Sequence, residues 1–262
     1  MDMRNMDNSS NEGMSIASHL VELKSRLVRI IAAIGIGFLA CYAFKEELFK
    51  IITKPLTDVL PKNSFMIYTG MPEAFFIYMK ISFYASLFLT APVTLYQIWK
   101  FISPGLYPHE KKYVLPFIFA SSILFMGGVL FGYFIALPPA FSFFVSFSSD
   151  FLKPMFTLRE YLSLSLTFLL GFGISFELPV FIFFMAKLGI VNAKMLSKYR
   201  RYAILVIFMV AAILTPSPDA ITQTLMALPL MFLYEVGIIA AKFARKEPPP
   251  VDTTEKEDEA ET

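Results

Sequence analysis

The stretch YLSLSLTFLLGFGISFELPVFIFFMA, from Tyr161 to Ala186, decides the fold of this chain. Its 26 residues are apolar or small apart from one acid, and a helix of that length crosses a ~30 Å hydrocarbon layer at ~1.5 Å per residue. The acid is Glu177, and an ionisable group inside a span costs at least ~2.5 kcal/mol. The stretch therefore predicts a membrane helix whose carboxyl group either packs against a neighbouring hydroxyl or forms a binding site at membrane depth.

The composition of the whole chain agrees with a membrane protein. Of its 262 residues, 56% are hydrophobic and only 17% are charged, below the ~25% typical of soluble domains. We predict an all-α integral membrane protein with a polar tail over residues 1–14, a six-helix transmembrane domain over 15–246 and a disordered acidic tail over 247–262. The predicted spans are Leu27–Phe44, Phe75–Ile98, Val114–Leu137, Tyr161–Ala186, Tyr202–Leu214 and Ala220–Ala241.

The last two of these spans are expected to be short. Tyr202–Leu214 gives only ~20 Å of helix, and the proline-containing run from Thr215 to Asp219 separates it from the final span. Pro229 is expected to shorten or kink that final span. The sequence thus predicts a hairpin of two short helices at the end of the domain.

The distribution of basic residues predicts the orientation in the membrane. The N-terminal segment, the second and fourth loops and the start of the C-terminal tail hold 15 lysines and arginines, whereas the first, third and fifth loops hold six. By the positive-inside rule, both termini lie in the cytoplasm and the loops with fewer basic residues lie outside.

Several kinds of chemistry have no support in the sequence. Cys41 is the only cysteine, and His19 and His109 are far apart in the chain, so no thiolate metal site or disulfide is expected. The motifs of nucleotide-binding loops and of hydrolases are also missing from the sequence. We therefore expect no enzyme activity, no cofactor, no metal and no nucleic-acid partner.

Two acidic residues on the predicted cytoplasmic side are candidate binding groups. Glu22 lies off the apolar stripe of an amphipathic helix, Ser15 to Arg29, and could simply form an i,i+4 pair with Arg26 worth ~0.3–0.5 kcal/mol. Glu110 lies in a second loop made rigid by prolines, and could simply favour the N-terminus of the third span. The aromatic residues of this loop, with Trp99, are expected at the headgroup level.

The outer loops are expected to lie on the membrane surface. The first, Lys45–Met71, is apolar around Pro55 and predicts a short helix broken or bent at that proline. The third, Pro138–Glu160, is rich in Phe and Ser. Lys80, near the outer end of the second span, is expected to extend its amine to the interface, and we assign it no function.

Four separated motifs stand in order along the chain: HLVELKSRL (His19–Leu27), YQIWKFISPGLYPHE (Tyr96–Glu110), SFELP (Ser175–Pro179) and LTPSPDAITQTL (Leu214–Leu225). With them the chain resembles the C-subunit of the twin-arginine protein translocase, the TatC family, over nearly all of Ser15 to Lys246. Their number and order make the resemblance specific. It implies a concave, glove-like bundle of six helices.

The resemblance also implies roles for particular residues. Glu22 and Glu110 match the carboxylates that receive the paired arginines of a signal peptide, in keeping with bidentate guanidinium–carboxylate pairing. Phe101 matches a position tied to signal recognition. Lys24 stands where many relatives have Arg, so a hydrogen-bonding fork beside Glu22 is replaced by a point charge.

Three further positions carry a role by the same resemblance. Glu177 matches an intramembrane acid on the concave surface, and Pro55 and Asp219 match outer positions linked to function. The implied protein is a receptor and scaffold in the bacterial cytoplasmic membrane. It binds twin-arginine signals of folded precursors, recruits the single-span subunits TatA and, where present, TatB, and self-associates in a receptor complex, and export is driven by the proton-motive force.

Glu177 leaves alternatives open. We expect the isolated acid to be neutral and to donate a hydrogen bond to a partner helix, which Gly171 and Gly173 would allow to approach closely. Alternatively, the acid is satisfied within the chain, by Ser175, Thr167 or a residue on another span. A proton-coupled transporter with Glu177 as proton carrier is the second functional reading, although few other polar groups lie at that depth.

Overall fold

The computed structural model of the chain describes residues 4–60, 66–102, 114–147, 155–214 and 219–244, and nearly all of them are helical. In these residues β pairing is limited to an isolated bridge between Ile67 and Thr157. The helices are α1 (Arg4–Ala43), α2 (Lys45–Thr57), α3 (Glu73–Leu89), α4 (Ala91–Ile102), α5 (Val114–Phe131), α6 (Leu137–Ser146), α7 (Leu158–Ser175), α8 (Leu178–Lys187), α9 (Ala193–Lys198), α10 (Arg200–Leu214) and α11 (Ala220–Phe243), with a π-helical segment, Gly132–Ala136, between α5 and α6. The all-α prediction is confirmed, and the predicted acidic tail lies outside the described residues.

Membrane-spanning length and apolarity are found in four helical stretches of the described chain. They are Leu20–Ala43, Leu115–Ser146, Leu158–Lys187 and Ala220–Phe243. A fifth candidate is formed by α3 and α4 together, which meet at a bend of 54°. The remaining predicted span is α10, whose 15 residues give only ~22 Å of helix. The prediction of an integral membrane protein agrees with these lengths.

The first span continues an earlier helix, as predicted. α1 runs without a break from Arg4, so the amphipathic segment and the span form one element and residues 4–14, expected as a tail, are helical. α1 is peripheral: only 17% of its most apolar window is buried, and it packs against α3 and α4. Its exposed apolar side chains are those expected of a lipid-facing helix.

The third span is longer than predicted. The helix was expected to end at Leu137, before Pro138 and Pro139, but it continues to Ser146. The reason is the π-helical segment directly before the prolines, in which the Leu137 N–H bonds the Gly132 carbonyl five residues back. The wider turn accommodates residues that cannot donate a backbone hydrogen bond, so the two prolines fall in the first turn of α6, where they are tolerated.

The prediction of two short final helices is half wrong. α10 is short, but α11 has 24 residues, ~36 Å, and passes through Pro229 without ending. In a membrane helix a proline removes one backbone hydrogen bond, and packing against neighbouring helices can maintain the helix beyond it. The proline-containing turn at 215–218 lies outside the described residues.

The stretch that opened the sequence analysis forms the centre of the bundle. Phe168 and Phe172 of α7 are fully buried, and α7 packs chiefly on α5 and α3. Gly128 of α5 permits this contact, because a Cβ at that position would come 2.5 Å from the Phe172 carbonyl oxygen. α8, the continuation of the same span, packs chiefly on α11 instead.

The central span is broken where α7 meets α8. α7 ends at Ser175 and α8 begins at Leu178, with Pro179 in its first turn. Pro179 has no N–H to donate to the carbonyl four residues earlier, so the regular helical ladder cannot pass through this point. The sequence analysis expected one uninterrupted helix, and the break falls at Glu177.

Candidate functional site

Glu22 is held by an arginine of its own helix. Arg26, one turn further along α1, donates to Glu22 Oε1 from Nε at 3.1 Å and from Nη2. Nη1 of the same guanidinium lies 3.5 Å from Oε1 of Gln97, on α4. Arg26 is buried and Glu22 is half-exposed. The i,i+4 pair considered from the sequence therefore exists, and its guanidinium also reaches across to a second helix.

The other described residues of the expected signal site lie near the middle of α1 and in the last turn of α4. Lys24 is exposed on α1, and Phe101 is half-exposed in the last turn of α4. Glu110 lies outside the described residues. The contact from Arg26 to Gln97 thus joins Glu22 to the helix that carries Phe101.

Residues on opposite faces of α4 contact different parts of the bundle. Gln97 and Trp99 are two residues apart, which is ~200° around a helix. Gln97 meets α1, whereas the Trp99 ring lies between α5 and α8, with ring centroids 6.0 Å from Phe117 and 4.9 Å from Phe184. Trp99 is therefore buried between helices of the bundle, and its position at the headgroup level stays a prediction.

Trp99 begins a hydrogen-bonded chain that ends on Glu177. The indole Nε1 donates to Ser121 Oγ at 3.1 Å, and the Ser121 hydroxyl donates to Glu177 Oε2. Ser121 is fully buried on α5. One oxygen of the intramembrane acid is therefore satisfied from another span, one of the alternatives left open above. Ser175 is not the partner, since its hydroxyl bonds the Gly171 carbonyl at 2.6 Å.

The second oxygen of Glu177 has no such partner. In the described part of the chain, Oε1 is buried and makes no hydrogen bond. Ile174 and Phe181, three residues before and four after, are 59% and 53% exposed, so apolar surface lies beside the half-buried acid. An unsatisfied buried polar atom costs about 1–3 kcal/mol. The break thus holds a carboxyl group with one satisfied and one unsatisfied oxygen.

Gly171 and Gly173 do not leave room for another helix, contrary to expectation. A Cβ on Gly171 would meet Met226 at 2.7 Å, and one on Gly173 would meet Phe125 at 3.0 Å. Both glycines are thus occupied by helices of the same chain, α11 and α5. The close approach predicted from small residues occurs within the bundle.

Pro55 lies in the last turn of α2, so the predicted short outer helix exists and ends two residues after the proline. Pro55 has no N–H, so the Ile51 carbonyl four residues earlier lacks its helical donor. Tyr133 of the π-helical segment donates to that carbonyl at 2.7 Å. Because of Pro55, the Ile51 carbonyl is available to accept this hydrogen bond, which links α2 to the third span.

Asp219 begins the last helix. Its carboxylate accepts from the Thr222 N–H at 2.7 Å and forms the N-cap of α11. One turn later, Gln223 donates from Nε2 to the Phe208 carbonyl of α10 at 2.9 Å. The side chain of Asp219 thus fixes the start of α11, which is tied to α10 close by.

Three partners of the expected site residues were not predicted from the sequence: Gln97, Ser121 and Tyr133. The available signal for Ser121 was a hydroxyl inside an otherwise apolar span, at a depth where Glu177 needs a partner. Within the described residues, no group of three or more His, Cys, Asp and Glu side chains is arranged to hold a metal ion.

A known protein family matches most of the chain. The family model described as Sec-independent protein translocase protein (TatC) matches residues 18–229. This range begins in the amphipathic part of α1 and ends in the first half of α11. It therefore includes Glu22, Pro55, Glu177 and Asp219.

Curated relatives are similar over most of their length. The Sec-independent protein translocase protein TatC of Desulforapulum autotrophicum is 48% identical over 236 residues, covering 90% of this chain and 87% of that protein. The TatC protein of Escherichia coli K12 is 37% identical over 235 residues, covering 90% of this chain and 91% of that protein.

A solved structure has the same fold. The crystal structure of a twin-arginine translocase receptor, TatC, superposes with a TM-score of 0.78 at 37% sequence identity, covering 87% of this chain and all of that one. A second crystal structure of such a receptor, obtained in DDM, gives 0.77 at 36% identity over 85% of this chain.

Proposed function

Because the chain belongs to the TatC family of Sec-independent protein translocase proteins, we propose that it is the receptor and core scaffold of a twin-arginine translocase. It binds the twin-arginine signals of folded precursor proteins in the bacterial cytoplasmic membrane and recruits single-span subunits for export. The five candidate spans and the short α10 together form a concave, glove-like bundle of six helices. Both termini lie in the cytoplasm, as the basic residues indicate.

Signal recognition uses Glu22, Glu110, Phe101 and Lys24. The observation that carries this proposal is the Glu22–Arg26 contact: a half-exposed carboxylate already binds a guanidinium, the group that a twin-arginine signal presents. An incoming arginine exchanges with Arg26, whose guanidinium retains Gln97 as a partner. Lys24, exposed beside this pair, adds a positive charge without a hydrogen-bonding fork.

Partner recruitment uses Glu177. Its Oε1 lacks a hydrogen bond, and the neighbouring Ile174 and Phe181 expose apolar surface on which a single helix can pack. A polar side chain of TatA, or of TatB where present, supplies the missing hydrogen bond. Desolvation inside the membrane makes that bond favourable, because the alternative is an unsatisfied group.

Pro55 and Asp219 shape the outer side of the bundle. Pro55 fixes α2 to the third span through the Ile51 carbonyl, and Asp219 fixes the start of α11. Copies of the chain associate in a receptor complex, and the proton-motive force drives export, with no bond-making chemistry by the chain itself.

The proposal is tested by site-specific crosslinking to a twin-arginine signal. A photoreactive residue at Phe101 is expected to crosslink a precursor with Arg-Arg, and to lose most of that product when the signal carries Lys-Lys. The matched control is the same photoreactive residue at Phe119, an exposed aromatic position on α5. Equal crosslinking at both positions, or equal yield with Lys-Lys, argues against a signal receptor.

A further inference from the structure

A second polar site lies between α3 and α7, at the end of the bundle that carries α2 and away from the residues discussed above. Two adjoining cavities of about 740 Å³ and 400 Å³ open there. Both are lined by Thr69, Glu73 and Arg159. Their size is that of small-molecule sites, and the larger one is also lined by Phe141 and Leu164.

Two cations of this site have no carboxylate partner. Lys80, two turns along α3 from Glu73, is half-buried, and its Nζ lies 2.8 Å from Ser163 Oγ. Ser163 is one turn along α7 from Arg159, and the two positive charges repel each other. In the described chain, neither cation forms an ion pair with an acid. The free snorkelling expected for Lys80 is therefore replaced by an inward contact with α7.

An amine in a membrane span needs more than one hydroxyl partner. Lys80 has three N–H donors, and Arg159 has five in a planar fork that fits phosphate oxygens. Lys80 is half-buried inside a span, where a charge without an acidic partner is costly, and Arg159 is exposed in the first turn of α7. The pair is thus suited to one phosphate group, bound from two sides.

Two acids line these cavities: Glu160, which is exposed and lines only the larger one, and Glu73, whose carboxylate needs a donor. Glu73 Oε2 accepts from the Thr69 N–H at 2.7 Å and the Gly70 N–H at 3.1 Å, so that oxygen is fully used. Glu73 Oε1 is buried and makes no hydrogen bond within the described residues. An acceptor without a donor therefore lies in the same site as two cations without an acidic partner.

We propose that this site binds the headgroup of a zwitterionic phospholipid that carries a primary ammonium, of the phosphatidylethanolamine type. The phosphate is held by Lys80 and Arg159, the ammonium donates to Glu73 Oε1, and an acyl chain passes along the apolar wall at Phe141 and Leu164. A headgroup with a phosphate alone satisfies the cations and leaves Oε1 unsatisfied. A headgroup with a trimethylated amine offers it no N–H. The site is independent of the receptor function proposed above.

The test uses the purified full chain in detergent, with lipid binding measured by native mass spectrometry. Phosphatidylethanolamine is expected to bind at least tenfold more tightly than phosphatidylglycerol or phosphatidylcholine. A headgroup photocrosslinker on phosphatidylethanolamine is expected to label peptides around Glu73 and Arg159. Equal binding of the three lipids, or labelling elsewhere only, overturns the proposal.

Variants separate the two halves of the headgroup. Lys80→Gln with Arg159→Gln is expected to reduce labelling at the site at least tenfold. Glu73→Gln is expected to keep phosphatidylglycerol binding and lose the preference for phosphatidylethanolamine, because one acceptor becomes an amide donor. That ratio is internal to one variant, so it is independent of how much protein folds.

Two further arms complete the test. Lys54→Gln removes an exposed lysine of α2 that does not line the cavities, and is expected to behave as the unchanged chain. Soluble glycerophosphoethanolamine is expected not to compete at concentrations comparable to the lipid, since it lacks acyl chains. Full competition by it, or a loss in Lys54→Gln equal to that of the double variant, overturns the lipid assignment.

Discussion

The two carboxylates of the proposed receptor are held in opposite ways. Glu22 is bound by a charged partner from its own helix, and the Arg26 guanidinium is steadied by Gln97 of α4. Glu177 is bound by a neutral hydroxyl from another helix, which is steadied by Trp99 of α4. One acid lies half-exposed near the middle of α1, and the other is at a break in the central span.

The different partners of Glu22 and Glu177 indicate which kind of ligand each acid can bind. The Glu22 carboxylate already carries a guanidinium, so only another strong cation can take that place. The Glu177 carboxyl group keeps one oxygen without a hydrogen bond, so a neutral polar side chain can bind without displacing Ser121. At Glu22 a charged ligand binds by replacing Arg26. At Glu177 a group of a membrane-embedded partner binds to the second oxygen while Ser121 stays in place.

The largest effect is expected where charge is exchanged. Glu22→Gln keeps the shape and loses the charge, and a charge-assisted hydrogen bond contributes about 1.5–3 kcal/mol, so signal binding should weaken about 10- to 150-fold. Binding is measured by titrating a labelled twin-arginine peptide onto the purified chain. Glu46→Gln, an exposed acid of α2, is the control and should change nothing.

A double-mutant cycle sharpens this prediction. Replacing the signal's Arg-Arg with Lys-Lys should weaken binding to the unchanged chain much more than to Glu22→Gln, since both changes remove the same contacts. Fully additive losses would show that Glu22 serves only its own helix.

If a partner group binds to the free oxygen of Glu177, removing the polar group should harm export more than neutralising it. Glu177→Ala should reduce export of a twin-arginine precursor at least tenfold, whereas Glu177→Gln, which keeps a polar group, should retain most of it. Export is measured as cleaved precursor outside the cytoplasm, and immunoblotting checks that both variants are present in the membrane in equal amounts. Normal export by Glu177→Ala, or its disappearance from the membrane, assigns the acid to packing.

Ser121→Ala breaks the support of Glu177 without touching the acid. It leaves both Trp99 Nε1 and Glu177 Oε2 without a partner, at about 1–3 kcal/mol for each group, so export should fall several-fold and the thermal midpoint should drop. The control is Ser122→Ala, next in sequence, whose hydroxyl bonds only the Ile118 carbonyl. Equal effects at the two serines would contradict a special role for Ser121.

The smallest effect is expected at a contact with no charge. Tyr133→Phe leaves the Ile51 carbonyl without its donor and should reduce the free energy of unfolding by about 1 kcal/mol. In a Pro55→Ala background the helix supplies its own N–H, so the same change should cost much less. Thermal melting of the four proteins measures the coupling, and independent losses would show that proline and tyrosine act separately.

The sequence was sufficient for features that depend on one element at a time. Apolar length identified four of the predicted spans, and a lone acid in an apolar stretch identified Glu177. Features that depend on the relative register of several helices were missed. Ser121 is one of many hydroxyls, and only the packing of α4, α5 and α8 makes it the link between Trp99 and Glu177.

Local exceptions to a general rule were also missed. Two consecutive prolines usually end a helix, but the π-helical turn before Pro138 and Pro139 carries the third span onward. Glycines were expected to receive a foreign helix, yet Gly171 and Gly173 already receive α11 and α5. In both cases the residue type has the local preference that the rule states. The structural outcome of that preference depends on the neighbouring turn or helix.

The break in the central span has a mechanical consequence. α7 packs chiefly on α5 and α3, and α8 packs chiefly on α11, but α11 also contacts α7 where Met226 meets Gly171. A displacement of α11 would therefore be transmitted to both sides of the turn that holds Glu177.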